Sequence, residues 1–166
     1  MSETDFAAFV RERSASLFRT AYVLTGSRDA ADDLVQEALE RACRHWRKAS
    51  AADSPEAYVR KILVNLANDR WRRLKRLELV RAVPDRADPG DAFGRVDSRS
   101  QLIQALLLLP MGQRTAVVLH YFHDMADTQI AATLGVSAGT ARSQLSRGLA
   151  KLREALAPDA VPGGRR

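Results

Sequence analysis

Apolar residues recur at three- and four-residue spacing along most of this chain, the period of helices with one buried face. Phe6, Val10, Leu17, Ala21 and Leu24 mark such a face on a first helix, capped by Asp5 and reaching about Thr25; Phe9, Phe18 and Tyr22 widen it. Gly26 stops it and Ser27 opens a second helix over about 28–48. Small polar residues at 49–54 read as a loop. Ser54-Pro55-Glu56 then starts a third helix, with a capping hydroxyl followed by proline and an acid in the first turn. Tyr58, Ile62, Leu63 and Leu66 supply its apolar side.

Periodicity fades over 78–100, where Pro84, Pro89, Gly90 and Gly94 appear; this predicts a flexible linker, its start in frayed helix. Residues 101–109 are densely apolar and end at Pro110. An amphipathic helix over 113–122 follows, with Val117, Val118, Tyr121 and Phe122 available to a core. In 126–153, Ile130, Ala131 and Leu134 share a face of a short helix. Gly135 stands where that helix stops, and Ser137 is placed to cap another bearing Ala141, Leu145, Leu149 and Leu152. Small Ala131 lets the two approach closely. This is a helix-turn-helix pattern, whose second helix normally enters the DNA major groove. The expected fold is all-α: two small helical domains, 1–77 and 101–156, joined by the flexible linker 78–100. The C-terminal one is a helix-turn-helix, and 157–166 form a disordered tail.

Composition narrows the function. The 166 residues are 46% hydrophobic, enough for packed cores, and carry a net charge of +6, which favours a polyanionic partner. Cys43 is the one cysteine, so no disulfide framework exists; its setting suggests a small, partly buried side chain. Met1 to Val10 lacks a basic start followed by an apolar run, and no apolar segment is long enough to span a bilayer, so a cytoplasmic protein without a membrane partner is expected.

The charge is unevenly placed. The second helix begins with Asp29, Asp32, Asp33, Glu37 and Glu40 without an intervening base. Acids near a helix N-terminus suit its dipole, yet Gln36 and Glu37 continue the same face, so a protein-docking surface is an equal reading. The third helix carries Arg60, Lys61, Arg70, Arg72, Arg73, Lys75 and Arg76, with Trp71 among them and Asn65 mid-helix. Cations interleaved with a ring and an amide can hold phosphates, stack a base and read a base edge. On the last helix Thr140, Arg142, Ser143, Gln144 and Arg147 face away from the apolar stripe, and up to Arg153 no acid offsets its cations. His120 and His123 make an HxxH pair without a third ligand at suitable spacing, so neither metal nor cofactor is expected. There is no glycine-rich phosphate loop and no nucleophile elbow, which argues against an enzyme. An autonomous helix-turn-helix regulator would usually dimerise to read a palindrome, and no long dimerisation helix is evident.

Three segments in order resemble the extracytoplasmic-function (group 4) sigma factors of bacterial RNA polymerase. DAADDLVQEALERACRHW (29–46) is similar to the family's core-binding helix, and SPEAYVRKILVNLANDRWRR (54–73) to its −10 element helix. LPMGQRTAVVLHYFHDMADTQIAATLGVSAGTARSQLSRGLAKLR (109–153) is similar to its −35 domain. The resemblance implies a subunit that binds polymerase core, through the β′ clamp helices and the β flap, and promoter DNA; an anti-sigma factor is a further implied partner. Asp32, Asp33, Gln36 and Glu37 would face the clamp helices. Asn65 would lie near a flipped −10 base with 49–54 closing over it, among Arg60, Lys61 and Trp71, while Arg70, Arg72 and Arg73 hold the melting duplex. Arg142, Ser143 and Gln144 would read the −35 groove, with Thr140 and Arg147 on its backbone. The chain departs from the family pattern at Tyr58 (commonly tryptophan), Met111 (commonly proline) and Gln144 and Leu149 (often basic). It also departs at Ala126, commonly a capping serine, for which Asp124 or Asp127 would substitute.

Overall fold

The computed structural model describes residues 3–81 and 98–157, and every regular element among them is an α-helix. They fall into two compact units. The first holds α1 (Glu3–Thr25), α2 (Arg28–Arg44), α3 (Trp46–Ala51) and α4 (Pro55–Arg81). The second holds α5 (Ser98–Leu107), α6 (Met111–Tyr121), α7 (Asp127–Leu134) and α8 (Ala138–Leu156). Helix therefore continues through 78–81 and resumes at 98, inside the stretch expected as linker; 82–97 and the tail from 158 onward lie outside the described residues.

In the first unit α2 packs against both α1 and α4. Leu17, Ala21 and Leu24 of α1 meet Ala31, Leu34 and Ala38 of α2 and Val59, Leu63 and Val64 of α4 in a sealed core. Alanines on α2 keep its approach close. Gly26 turns the chain with φ +78°, which glycine adopts without steric cost, and Ser27 Oγ then accepts the Ala30 N–H at 3.3 Å. Ser54 Oγ does the same for Ala57 at 3.1 Å, as its spacing predicts. Two expectations need correction. α1 begins at Glu3, so Asp5 lies in its first turn instead of capping it. The second helix does not run to 48: His45 breaks it at φ −120°, ψ 32°, and α3 takes in Ala49 to Ala51, leaving a turn of only 52–54 where a six-residue loop was expected. The break carries Trp46 onto Phe6 and Phe9, whose ring centroids lie 5.2 and 5.3 Å away. Ring packing against another helix outweighs the continuation that local propensity favours.

The second unit is built around α6, in which Met111 and every residue from Gln113 to Leu119 are buried. Among them is Arg114, whose guanidinium donates from Nε to the Leu106 carbonyl at 3.1 Å and from Nη2 to those of Leu107 and Leu109 at 3.2 and 3.0 Å. It thereby ties α6 to the last turn of α5 and the residues just after it, where the Leu106 carbonyl also accepts the Leu109 N–H at 3.1 Å. Burial pulls its pKa below the ordinary arginine value, from a height at which the group stays charged. α8 crosses α6 at Gly148, where an added Cβ would stand 2.8 Å from Val117 Cγ2 and 3.2 Å from the Gln113 carbonyl oxygen. Tyr121 and Phe122, expected in the core, are 57% and 46% exposed because α6 ends beside them. Leu149 is half-buried, whereas Ala141, Leu145 and Leu152 are buried.

Local chemistry sets the hairpin of α7 and α8. Gly135 takes φ +70°, and the Val136 N–H donates back to the Ala131 carbonyl at 3.0 Å, closing α7. Ser137 Oγ accepts the Thr140 N–H at 3.0 Å and starts α8. At the other end of α7, Ala126 has no side-chain oxygen, and neither Asp124 nor Asp127 replaces it. Gln129 reaches back instead, its Oε1 accepting the Ala126 N–H at 2.8 Å.

Candidate functional site

Three surfaces carry the candidate residues. On α2, Asp32, Asp33 and Gln36 are exposed because Ala31, Leu34, Val35 and Ala38 take the inward positions between them. Asp32, Gln36 and Glu40 border a groove of about 630 Å³ between α1 and α2, floored by Phe6, Val10, Phe18, Val35 and Leu39. Cys43 also lines it and is exposed, contrary to the partly buried setting expected, since its neighbour Ala42 takes the inward position. An apolar floor beside carboxylates suits a partner helix with an apolar stripe and basic flanks.

Glu37 stands apart from this face. It is half-buried, and its carboxylate accepts from Arg70 of α4 at 3.0 Å and from Arg41, one turn along α2, at 3.1 Å. The Arg70 hydrogen bond is the main reason its pKa is held below the ordinary 4.5, against a smaller opposing effect of burial. A residue expected to face polymerase and one expected to hold DNA are therefore bonded to each other.

On α4, Lys61, Asn65 and Arg72 succeed one another at helical spacing along an exposed stripe, and Arg73 is exposed beside it. Arg72 also pairs with Asp69. Trp71 is half-buried and carries the Lys75 ammonium over its ring at 5.5 Å, a cation–π contact that steadies both. Arg60 is not brought to this stripe. Its side chain is only 14% exposed and lies 3.8 Å from Glu56; burial lowers its pKa, with Glu56 opposing.

On α8, Thr140, Arg142, Ser143 and Arg147 are exposed on one side. Gln144 is turned partly inward, with Nε2 3.0 Å from the point where a Cβ on Gly112 would stand. The Thr140 hydroxyl accepts from Ser137 Oγ at 3.0 Å. Arg142 donates from Nε to Asp127 Oδ2 on the first residue of α7, at 3.2 Å. Sequence reasoning considered Asp127 only as a helix cap, because nothing in local spacing joins residues fifteen apart. His120 Nδ1 lies 3.1 Å from the Met125 carbonyl oxygen and so belongs to the turn after α6. No helix among the described residues is long and apolar enough to cross a membrane.

A helix-turn-helix on one helical unit, with an acidic face and a cationic stripe on the other, places the chain in the class of DNA-binding proteins. Comparison with known proteins supplies the family. Residues 9–77 match the model of sigma-70 region 2 and residues 99–152 that of sigma-70 region 4. The RNA polymerase sigma-E factor of Streptomyces coelicolor is 35% identical over 152 residues, spanning 92% of this chain and 86% of that protein. The ECF RNA polymerase sigma factor SigE of Mycolicibacterium smegmatis is 36% identical over 156 residues, 89% of this chain and 60% of that protein. The sigma factor RpoE of Bartonella quintana, solved in complex with the anti-sigma factor NepR, superposes with a TM-score of 0.73 at 25% identity, over 93% of this chain and 98% of that one. The chain belongs to the sigma-70 family of RNA polymerase sigma factors, in its extracytoplasmic-function branch.

Proposed function

We propose that this sigma factor divides its work among the three surfaces as their charge divides. As a sigma factor it binds RNA polymerase core and directs promoter-specific initiation through −10 melting and −35 recognition. Asp32, Asp33 and Gln36 dock on the β′ clamp helices, with Glu37 at the border of that contact. Lys61, Asn65, Trp71, Arg72 and Arg73 meet the −10 element. Arg70 acts from behind, holding α4 to α2 through Glu37, while Arg60 pairs within α4 with Glu56, which Arg13 of α1 also meets at 3.4 Å. Thr140, Arg142, Ser143 and Arg147 meet the −35 element, with Gln144 at the rim, and the second unit also meets the β flap.

The segregation of charge carries this reading: exposed carboxylates gather over 29–40 of α2, where no base intervenes, and exposed cations gather on α4 and α8. The chain does no bond chemistry. Melting follows from capture of an unstacked −10 base near Asn65, with the turn 52–54 closing over it; capture offsets the few kcal/mol that unstacking costs. Bidentate side-chain contacts to −35 bases contribute about 1–3 kcal/mol each. The protein acts in the cytoplasm, where polymerase and promoter are, and an anti-sigma factor is a further partner, as the Bartonella quintana protein has one.

Charge reversal at Asp33 tests the docking surface. Asp33 is exposed, so Asp33→Arg leaves the core of the first unit intact. Titration of labelled core polymerase with the full chain is expected to show affinity lower by about tenfold or more, because a like charge then faces the clamp. Unchanged affinity with an unchanged fold refutes docking through this face.

A further inference from the structure

The pair between Arg142 and Asp127 carries a consequence for sequence recognition. Arg142 lies in the second turn of α8, near the N-terminal end from which a recognition helix reaches base edges. Its side chain is 67% exposed, against 31% for Asp127. An exposed ion pair of this kind adds little to stability. What it changes is the geometry of the guanidinium, a planar group with five N–H donors in a fixed fork.

With Nε–H given to Asp127 Oδ2 at 3.2 Å, both terminal amino groups remain for other acceptors. Two parallel donors side by side match O6 and N7 of guanine, which are both acceptors in the major groove. Adenine presents one acceptor and one donor there, so its amino group would oppose the fork, and the pyrimidines lack the paired acceptors altogether. A long flexible side chain is thus held in its reading pose before DNA arrives, which removes part of the ordering cost of binding.

The carboxylate is itself well anchored. Asp127 is the first residue of α7, where the helix dipole favours a negative charge. The Gln129 cap on Ala126 fixes the start of that helix, and buried Ile130 and Ala131 fix its face. The Gly135 turn sets α7 against α8. Position and orientation of the carboxylate therefore follow from the hairpin.

We propose that Asp127 is a positioning residue that locks Arg142 for guanine, so that this sigma factor demands a guanine at one base pair of its −35 element. The inference rests on α8 being the −35 reader.

The test uses holoenzyme reconstituted from the full chain and core polymerase, transcribing a promoter library randomised across the −35 element, with transcripts counted by sequence. Wild type is expected to favour guanine at one position by roughly five- to hundredfold, the range of one bidentate contact. Arg142→Ala should erase that preference at that position alone. Asp127→Asn should shrink it by about threefold or more, since a neutral amide oxygen holds the guanidinium more weakly than a carboxylate does. Output from promoters without the guanine should rise in absolute terms, because a negative charge near the phosphates is gone. In the Arg142→Ala background Asp127→Asn should have no effect at that position. Asp127→Ser, a residue equally at home at a helix start, should repeat the result if the asparagine variant folds poorly by circular dichroism.

Three results overturn the proposal. In one, the guanine preference survives both Asp127 variants. In another, output falls equally from every promoter, the mark of a structural prop. In the third, preference shifts at a different base pair even without Arg142, so that the carboxylate reads a base itself. Should Arg142→Ala leave preferences at all −35 positions untouched, the placement of α8 fails first, and that outcome is distinct from the other three.

Discussion

Replacing Gly148 with alanine sets two opposed energies against each other. Helix propensity favours the change: alanine in a helix interior is better than glycine by about 1 kcal/mol. Packing opposes it. The new Cβ would stand 2.8 Å from Val117 Cγ2, 3.2 Å from the Gln113 carbonyl oxygen and 3.4 Å from Gln113 Cβ. Val117 is buried and β-branched, so its side chain has little freedom to turn away, and Gln113 contributes rigid helix backbone. α6 and α8 must separate by some tenths of an ångström, and overpacking of this kind costs about 1–3 kcal/mol. The balance is a loss of up to about 2 kcal/mol. Gly139 of the same helix is the control. There a Cβ would meet only Ser137 Oγ, at 3.9 Å, so Gly139→Ala should gain up to about 1 kcal/mol. Both tryptophans, Trp46 and Trp71, lie in the first unit. In thermal melts of the full chain, tryptophan fluorescence therefore follows the first unit while far-ultraviolet circular dichroism follows both. Gly148→Ala should lower only the transition invisible to fluorescence, by about 4–8 °C per kcal/mol for a unit of this size, and Gly139→Ala should raise it. If both alanines raised it equally, the close crossing at Gly148 would be refuted.

Two further perturbations address single contacts. Arg114→Met removes hydrogen bonds to the Leu106, Leu107 and Leu109 carbonyls, at and just after the end of α5, and should destabilise the second unit by about 2–4 kcal/mol in the same melts; a change below about 1 kcal/mol would mean that water replaces the guanidinium. Glu37, whose pKa is lowered chiefly by its hydrogen bond to Arg70, contributes stability that is complete above the ordinary carboxylate value of 4.5 and is lost as pH falls through its lower value in the fold. With 35% of the side chain exposed, solvent screening keeps that contribution below about 1 kcal/mol. The advantage of wild type over Glu37→Gln, read by tryptophan fluorescence, should shrink on acidification from about pH 6 to about pH 3, and an advantage that grew would contradict the ion pair.

Where a serine or a glycine sets them, the helix ends were legible because capping is local chemistry. A hydroxyl at Ser27, Ser54 or Ser137 reaches an N–H three residues on, and Gly26 and Gly135 supply left-handed turns that other residues resist. Buried stripes were legible for the same reason, since helical period alone puts Leu17, Ala21 and Leu24, or Ala141, Leu145 and Leu152, on one face. The segregation of acids from bases could be read directly.

What period and capping leave open is which neighbour a side chain meets. Arg60 and Lys61 are adjacent in the chain, yet one is turned inward beside Glu56 and the other outward. The break at His45 answers to two rings on another helix, and Gly148 to a valine thirty-one residues earlier. Glu37 with Arg70, and Asp127 with Arg142, bond across thirty-three and fifteen residues. The chain alone therefore determined the helices apart from the break at His45, their faces and the sign of each surface, all set by interactions within about one turn. Tertiary structure alone decided which charges are spent holding the fold and which stay available to partners, because that depends on where separate helices cross.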